Sequence, residues 1–397
     1  MTFSKRFIGV VGGSIGSDPY NRRTFSGSSY SLFTALQERG ALQRAFGAEL
    51  EKAERIALML KNFRPKRRTW SRHYYLDPAY RDALTKQLAA RVEPEDFAGC
   101  FLQIGAMFSM PQAVKGKALC VAYHDSNIAE AVAADDMRDI SRTRIDDALA
   151  YERELAQSCD MIFVIGNFLR TSFIDVFGIS PSRVITVGGG PNLGGIPDID
   201  STKVYDTSEL LYVGVDFERK GGAQLLRAFC NVAQRFPAAR LHIVGPRHIR
   251  IPGEIREKVI FHGYVSRQTP GGAALFRDLY HRCSVFVLPS LYEPFGMSSL
   301  EAMLCQIPVV VTKGWGWLDS VKDGVSGFLV ERGNIQDLTE TLAKCLSDPD
   351  RLQRMGRAGR ENILGNFTWE LVARRMHEAL GPLSASATAT RVEGTKA

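Results

Sequence analysis

The chain has 397 residues, of which 45% are hydrophobic and 23% charged, the balance of a soluble globular protein with room for two domains. Its seven cysteines (Cys100, Cys120, Cys159, Cys230, Cys283, Cys305, Cys345) are scattered, odd in number and never in a C-x-x-C arrangement. They indicate neither a disulfide framework nor a zinc site, and a reducing cytoplasm is the expected compartment. The net charge of +7 is compatible with nucleic acid, an anionic membrane face or a phosphorylated small ligand and selects none of them. No stretch approaches the roughly 18 apolar residues of a membrane-spanning helix.

The start, MTFSKRFIGVVGG, has an apolar run too brief for a signal peptide and reads as a strand from Arg6 to Val11. The glycines that follow, GVVGGSIGS at 9–17, do not have the G-x-G-x-x-G spacing and read as a tight turn. Further short runs, FAGCFLQIG, KALCVAY, DMIFVIG and RVITVGG, are followed or preceded by amphipathic stretches such as Ser28–Arg39 and Asp147–Ser158. A second series comprises ELLYVG, ARLHIVG, KVIFHGYV, CSVFVLP, IPVVVT and GFLV, with helical patterns at Gly222–Arg235 and Asn334–Leu346. Near-continuous apolar strands alternating with amphipathic helices predict an α/β protein with two doubly wound parallel sheets. Residues 188–208, GGGPNLGGIPDIDSTKVYDTS, have the composition of an interdomain linker, and a ligand is expected where strand C-termini face the cleft. The last fourteen residues, SASATATRVEGTKA, predict a disordered tail.

The segment CSVFVLPSLYEPFGMSSLEAMLCQIPVVV reads as strand, loop, helix, strand. Glu293 falls in the loop and Glu301 about one turn inside the helix, so the two do not share a helical face. The head of a helix offers free N–H groups and a partial positive charge, and Gly296 lets backbone approach a ligand there. Two carboxylates flanking such an anion site fit the two ends of a sugar nucleotide, with ribose at one and sugar hydroxyls at the other.

These residues also carry a resemblance. E-P-F-G-M-S-S-L-E-A-M with the following Pro308-Val309-Val310-Val311 resembles the E-x7-E motif of retaining GT-B glycosyltransferases of family 4. LYVGVDFERKGGAQLLRAF, LHIVGP, DSVKDGVSGFLVERGNIQDL and FTWELVARRMHEAL are similar to successive segments of that family, from about residue 208 to 382. In the first half FSGSSYSLFTALQERG and the stretch ELAQSCDMIFVIGNFLRTSFIDVFGISPSRVITVGGGPN are similar too, whereas residues 41–120 carry no assignable motif. The resemblance implies an N-terminal Rossmann-like domain at 1–190 on the acceptor side, a linker at 191–207 and a donor domain at 208–366. It further implies a helix at 367–383 crossing back to the first domain, with the tail at 384–397. Glu301 would hold the ribose, Glu293 the sugar hydroxyls, and Phe295, Gly296, Met297 and Ser298 would offer backbone N–H groups. Lys220 would neutralise the diphosphate, with Arg219 beside it, and Gly27 would present backbone from the first domain. Two departures stand out: Val215 where many members have Arg, and Asp319 where Glu is frequent. The implied reaction is transfer of a sugar with retained configuration from a UDP- or GDP-sugar to a glycan or lipid-linked acceptor, without cofactor or metal, in surface polysaccharide or glycolipid synthesis.

Three readings stay open at this level. His124 and Asp125, in AYHDSNI after a strand, are candidates to orient sugar or acceptor, as is Ser26, and His124 reads equally as a structural histidine at a strand end. The cluster Lys61, Arg64, Lys66, Arg67, Arg68, Arg72 and His73, interleaved with Phe63, Trp70, Tyr74 and Tyr75, is either a solvated face or a docking surface for the anionic inner membrane face. No nucleic-acid recognition motif accompanies it. An epimerase of the same fold and a silent nucleotide-sugar binder are the alternatives to a transferase.

Overall fold

The computed structural model describes residues 6–13, 18–193, 195, 197 and 203–393, without the side chains of Ser26 and of residues 382–393. The chain forms two compact units, one of residues 1–189 with 369–397 and one of residues 190–368.

In the first unit the strands are β1 (Phe7–Gly12), β2 (Leu42–Ala48), β3 (Cys100–Ile104), β4 (Leu119–His124), β5 (Met161–Val164) and β6 (Val184–Thr186). All pair in parallel, in the order β2-β1-β3-β4-β5-β6. Residues CFLQI of β3 and MIFV of β5 are buried throughout, which requires cover on both faces of the sheet. Ile8, Val10 and Phe101 of the sheet pack with Leu84 and Leu88 of the helix Pro78–Ala89. Between β2 and β3 the chain makes three helices, Lys52–Lys61, Arg67–Tyr75 and Pro78–Ala89. Asp77 starts the third: its side chain accepts from the Ala79 N–H, with Pro78 at the first helical position.

The closing helix Trp369–Glu393 packs in this unit against the helix Ser28–Glu38. The stretch expected as a disordered tail is helical backbone as far as Glu393, and 394–397 lie outside the described residues. The turn expected at 9–17 falls partly outside them too, at 14–17.

The second unit contains β7 (Glu209–Val213), β8 (Arg240–Val244), β9 (Val259–Gly263), β10 (Val285–Leu288), β11 (Val309–Thr312) and β12 (Gly327–Val330), again all parallel. Their order is β12-β11-β10-β7-β8-β9. The chain proceeds outward in one direction from β7 and in the other from β10, so the topological switch point lies between these two neighbours. The crossover helix Gly222–Arg235 buries Leu225, Leu226, Phe229 and Val232 along one stripe. The expected linker, where described, is anchored here. Lys203 Nζ donates to the carbonyls of Tyr280 and His281 at 2.8 Å and of Cys283 at 3.1 Å, and the Tyr205 hydroxyl donates to the Gln306 carbonyl at 2.9 Å.

Candidate functional site

A crevice at a switch point is bounded by the loops that leave the two strands. After β7 comes Gly214 to Gly221, and after β10 comes Pro289 to Gly296. The loops are stitched together: Leu291 N–H donates to the Arg219 carbonyl at 2.8 Å, and Arg219 Nη1 donates to the Tyr292 carbonyl at 2.7 Å. Gly221 has φ 69°, and a β-carbon there would lie 1.9 Å from the Pro289 carbonyl oxygen, so only glycine allows this approach. The helix Met297–Leu304 starts at the same place, with Ser298 Oγ donating to the Val213 carbonyl at the end of β7 at 3.3 Å.

Glu293 is brought against both cations of the other loop. Lys220 Nζ lies 2.9 Å from its Oε2 and Arg219 Nη1 3.6 Å away. Burial alone would raise the Glu293 carboxyl, but Lys220, Arg219 and the Gly296 N–H hold it below its ordinary value. Asp216 of the same loop also lies 3.5 Å from Arg219 Nε, so two cations stand against two carboxylates, and Arg219 supplies charge beside the exposed Val215.

Gly296 caps the helix with φ 75°, and a β-carbon there would meet the Trp317 indole at 2.4 Å. Trp317 is itself fixed, its Nε1 donating to Ser299 Oγ at 2.8 Å. No side chain caps the helix, and the first-turn N–H groups of Met297 and Ser298 have no partner among the described residues. Phe295 is buried against Phe367. These features make the head of the helix, with Lys220 and Arg219, suited to an anion.

Glu301 lies one turn inside the helix and is 4% exposed. Arg267 Nη2 pairs with its Oε2, the Tyr280 hydroxyl donates to the same oxygen at 3.3 Å, and the Asn192 N–H donates to Oε1 at 3.3 Å. The charge on Glu301 is thus matched by a residue that sequence reasoning missed. Arg267 stands in the turn before the helix Pro270–Arg282, a place that reads as solvated surface, and its guanidinium lies 4.3 Å from the Phe276 ring centroid. Asp319 falls in the short helix Trp317–Ser320.

The remaining candidates belong to the first unit. His124 ends β4 at 1% exposure against Phe173. Burial holds its pKa down at about 4 against a backbone hydrogen bond with Ser126. Asp125 follows it in the loop. Gly27, at φ 94°, caps the helix Ser28–Glu38, and the side chain of Ser26 lies outside the described residues.

Among the described residues one group of three metal-type ligands comes together: Glu209, His242 and Cys283, with ligand atoms within 4.8 Å of one another. Glu209 begins β7 and Cys283 precedes β10, so the group sits at the opposite edge of the sheet from Lys220 and Glu293. Glu209 already accepts two bonds from Arg282, both at 2.7 Å.

Two six-stranded parallel sheets with flanking helices, the second holding this cluster at its switch point, define the class of α/β proteins with GT-B architecture. Residues 199–362, less than half of the chain, match the family model described as "Glycosyl transferases group 1". A D-inositol 3-phosphate glycosyltransferase of Kribbella flavida is 27% identical over 240 residues, 56% of this chain and 56% of that protein. An alpha-maltose-1-phosphate synthase of Mycolicibacterium smegmatis is 29% identical over 271 residues, 59% of this chain and 66% of its own. The chain thus spans little more than half the length of the first of these curated relatives. Among solved structures, a sucrose-phosphate synthase from Thermosynechococcus elongatus superposes with a TM-score of 0.71 at 19% identity, covering 96% of this chain and all of that one. Anabaena HepE, solved with UDP and glucose, gives 0.63 at 16% identity over 94% of this chain and all of its own.

Proposed function

We propose that the protein is a retaining glycosyltransferase of family 4 type that takes its sugar from a UDP- or GDP-linked donor without a metal. The acceptor in this reading is a glycan or lipid-linked hydroxyl, in cytoplasmic synthesis of a surface polysaccharide or glycolipid. The observation that carries it is the gathering of Lys220, Arg219 and Glu293 beside the uncapped helix head at Met297. A diphosphate fits the two cations and the free N–H groups, while Glu293, held by Lys220, and Glu301, held by Arg267, are assigned to sugar and ribose hydroxyls. The bond from the sugar's anomeric carbon to the diphosphate oxygen breaks, a bond to the acceptor oxygen forms on the same face, and the acceptor's proton passes to the departing diphosphate. Positive charge fixed in advance at that oxygen lowers the barrier. His124 is assigned a catalytic part, the Gly27 backbone to the donor, and Asp125 and Ser26 to the acceptor and sugar side. Anabaena HepE, solved with UDP and glucose, is consistent with this donor class.

The test is turnover of a panel of UDP- and GDP-sugars, read as release of nucleoside diphosphate with and without added glycan acceptors. Lys220→Ala and Glu293→Gln should each lower kcat by about 100-fold or more. Release of the diphosphate with the sugar moved distinguishes a transferase from an epimerase, and binding without turnover would point to a silent binder. Neither turnover nor thermal stabilisation across the panel would overturn the reading.

A membrane contact also draws support from one observation. Ile56 and Leu60, one turn apart on the helix Lys52–Lys61, and Phe63 just beyond it are 46%, 72% and 60% exposed, close in sequence to exposed Arg64 and Lys66. Four of the seven residues of the basic cluster are otherwise engaged: Lys61 pairs with Asp77 at 2.9 Å, Arg68 with Asp136, and Arg72 with Asp136 and Asp139, while His73 is buried. Flotation with phosphatidylglycerol vesicles should therefore fall with Leu60→Ser and Phe63→Ser. Equal flotation of these variants and the wild type would dismiss the contact.

A further inference from the structure

At the C-terminal ends of β1 and β2 the first unit contains a cavity of about 410 Å³, within the size range of small-ligand sites. Its floor is Gly13 and Leu50, and its walls come from the helices Lys52–Lys61, Arg67–Tyr75 and Pro78–Ala89. Nothing in the donor reading uses it.

The wall is aromatic and held in place. Tyr74, Tyr75 and Tyr80 pack on one another with ring centroids 4.8–5.3 Å apart, and Trp70 is tied to the Met59 carbonyl by its Nε1 at 3.0 Å. Ring faces of this kind receive the C–H face of a sugar, and the Tyr74 and Ser71 hydroxyls on the same wall provide hydrogen bonds.

The cations are placed differently from their neighbours. Of the three arginines on the helix Arg67–Tyr75, Arg68 and Arg72 point to Asp136 and Asp139, whereas Arg67, which lines the cavity, makes no ion pair among the described residues. Arg55, from the facing helix, has a loose contact at 3.6 Å with Glu49, the one carboxylate of the lining, with both side chains well exposed. An exposed contact of this length is worth little and yields readily to a better anion. Two guanidiniums over an aromatic wall match a phosphate on a sugar ring, because a guanidinium fork binds phosphate in two places at once.

We propose that this cavity binds a phosphorylated sugar or cyclitol, its ring on Trp70 and the tyrosines and its phosphate on Arg67 and Arg55. It rests on the glycosyltransferase reading only in giving that ligand the part of acceptor, in place of the glycan or lipid-linked hydroxyl; the binding site itself does not depend on it.

The full chain is titrated calorimetrically with glucose 6-phosphate, fructose 6-phosphate and myo-inositol 1-phosphate, and with glucose and inorganic phosphate as the separate halves. At least one sugar phosphate should bind at least tenfold more tightly than either half. Arg67→Gln, an exposed position whose loss leaves the fold intact, should weaken it tenfold or more, and Lys66→Gln, outside the cavity, should leave it unchanged. No binding by any of the three, or equal binding by wild type and Arg67→Gln, overturns the proposal. UDP and GDP binding, with Lys220→Ala as the control, is measured on the same samples. Nucleotide binding without sugar-phosphate binding sinks the cavity proposal alone, and the reverse result sinks the donor reading alone.

Discussion

Glu301, 4% exposed, is surrounded by Arg267, the Tyr280 hydroxyl and the Asn192 N–H. Removing one member of such a pair leaves the other charge buried, which costs more than the pair contributes. Arg267→Met should therefore destabilise the protein by about 2–4 kcal/mol in urea unfolding, and Arg267→Met with Glu301→Gln should recover at least half. A cost near zero for the single variant would show that the carboxylate is solvated. Gly296 is constrained from two sides, by its φ of 75° and by the buried Trp317 indole. Gly296→Ala should cost about 2–4 kcal/mol by the same measurement, adding left-handed strain to a clash that Trp317 cannot relieve. Glu293 and Gly296 stand in the loop after a predicted strand, whereas Lys220 is joined to them in the sequence only by the family resemblance; in the structure its Nζ lies 2.9 Å from Glu293. Arg267 was not legible, since nothing local in SRQTP signals that its partner lies 34 positions away.

At the scale of elements, legibility followed burial. VFVL, VVVT and MIFV are covered on both faces and show it as unbroken apolar runs. Strand β2, LQRAFGA, lies at the edge of its sheet with its early residues partly exposed, so Arg44 and Gln43 interrupt the pattern and the strand did not register. The helix Arg67–Tyr75 was seen as charge rather than as structure. Its sequence cannot reveal that Arg72 bridges Asp136 and Asp139 across more than sixty positions, turning a basic run into an intramolecular clasp. These groups are only partly buried, so Arg72→Ala should cost about 1 kcal/mol, measured by thermal unfolding at low salt and shrinking as salt is added. Lys66→Ala, fully on the surface, should cost nothing measurable. Equal effects would mean that the clasp contributes no more than general charge.

For the molecule as a whole, the pH response is set by opposing buried groups. Burial lowers the pKa of His124 to about 4, and it also lowers His73, His242 and His262, the last two stacked and sharing a 3.0 Å contact between Nδ1 and Nε2. A histidine held neutral in the fold takes up its proton in the unfolded chain first. Its contribution is complete above about pH 6.5 and is lost as pH falls towards the folded value. For His124 that loss is on the order of 3 kcal/mol by pH 4. Glu152 acts in the opposite sense, because burial raises its carboxyl to about 7 against the help of the Ile128 N–H at 2.8 Å. It is protonated more readily in the fold, so acidification from pH 7 to 4.5 stabilises through it. Glu152 is partly exposed and His124 is not, so screening weakens the carboxyl's share and the four histidines prevail. Urea unfolding should show stability declining from pH 7 to 5, before the lowered carboxyls of Asp77, Asp139 and Glu293 begin to matter. His124→Phe should flatten that decline and Glu152→Gln should steepen it. Identical slopes in the two variants would place the pH dependence elsewhere in the molecule.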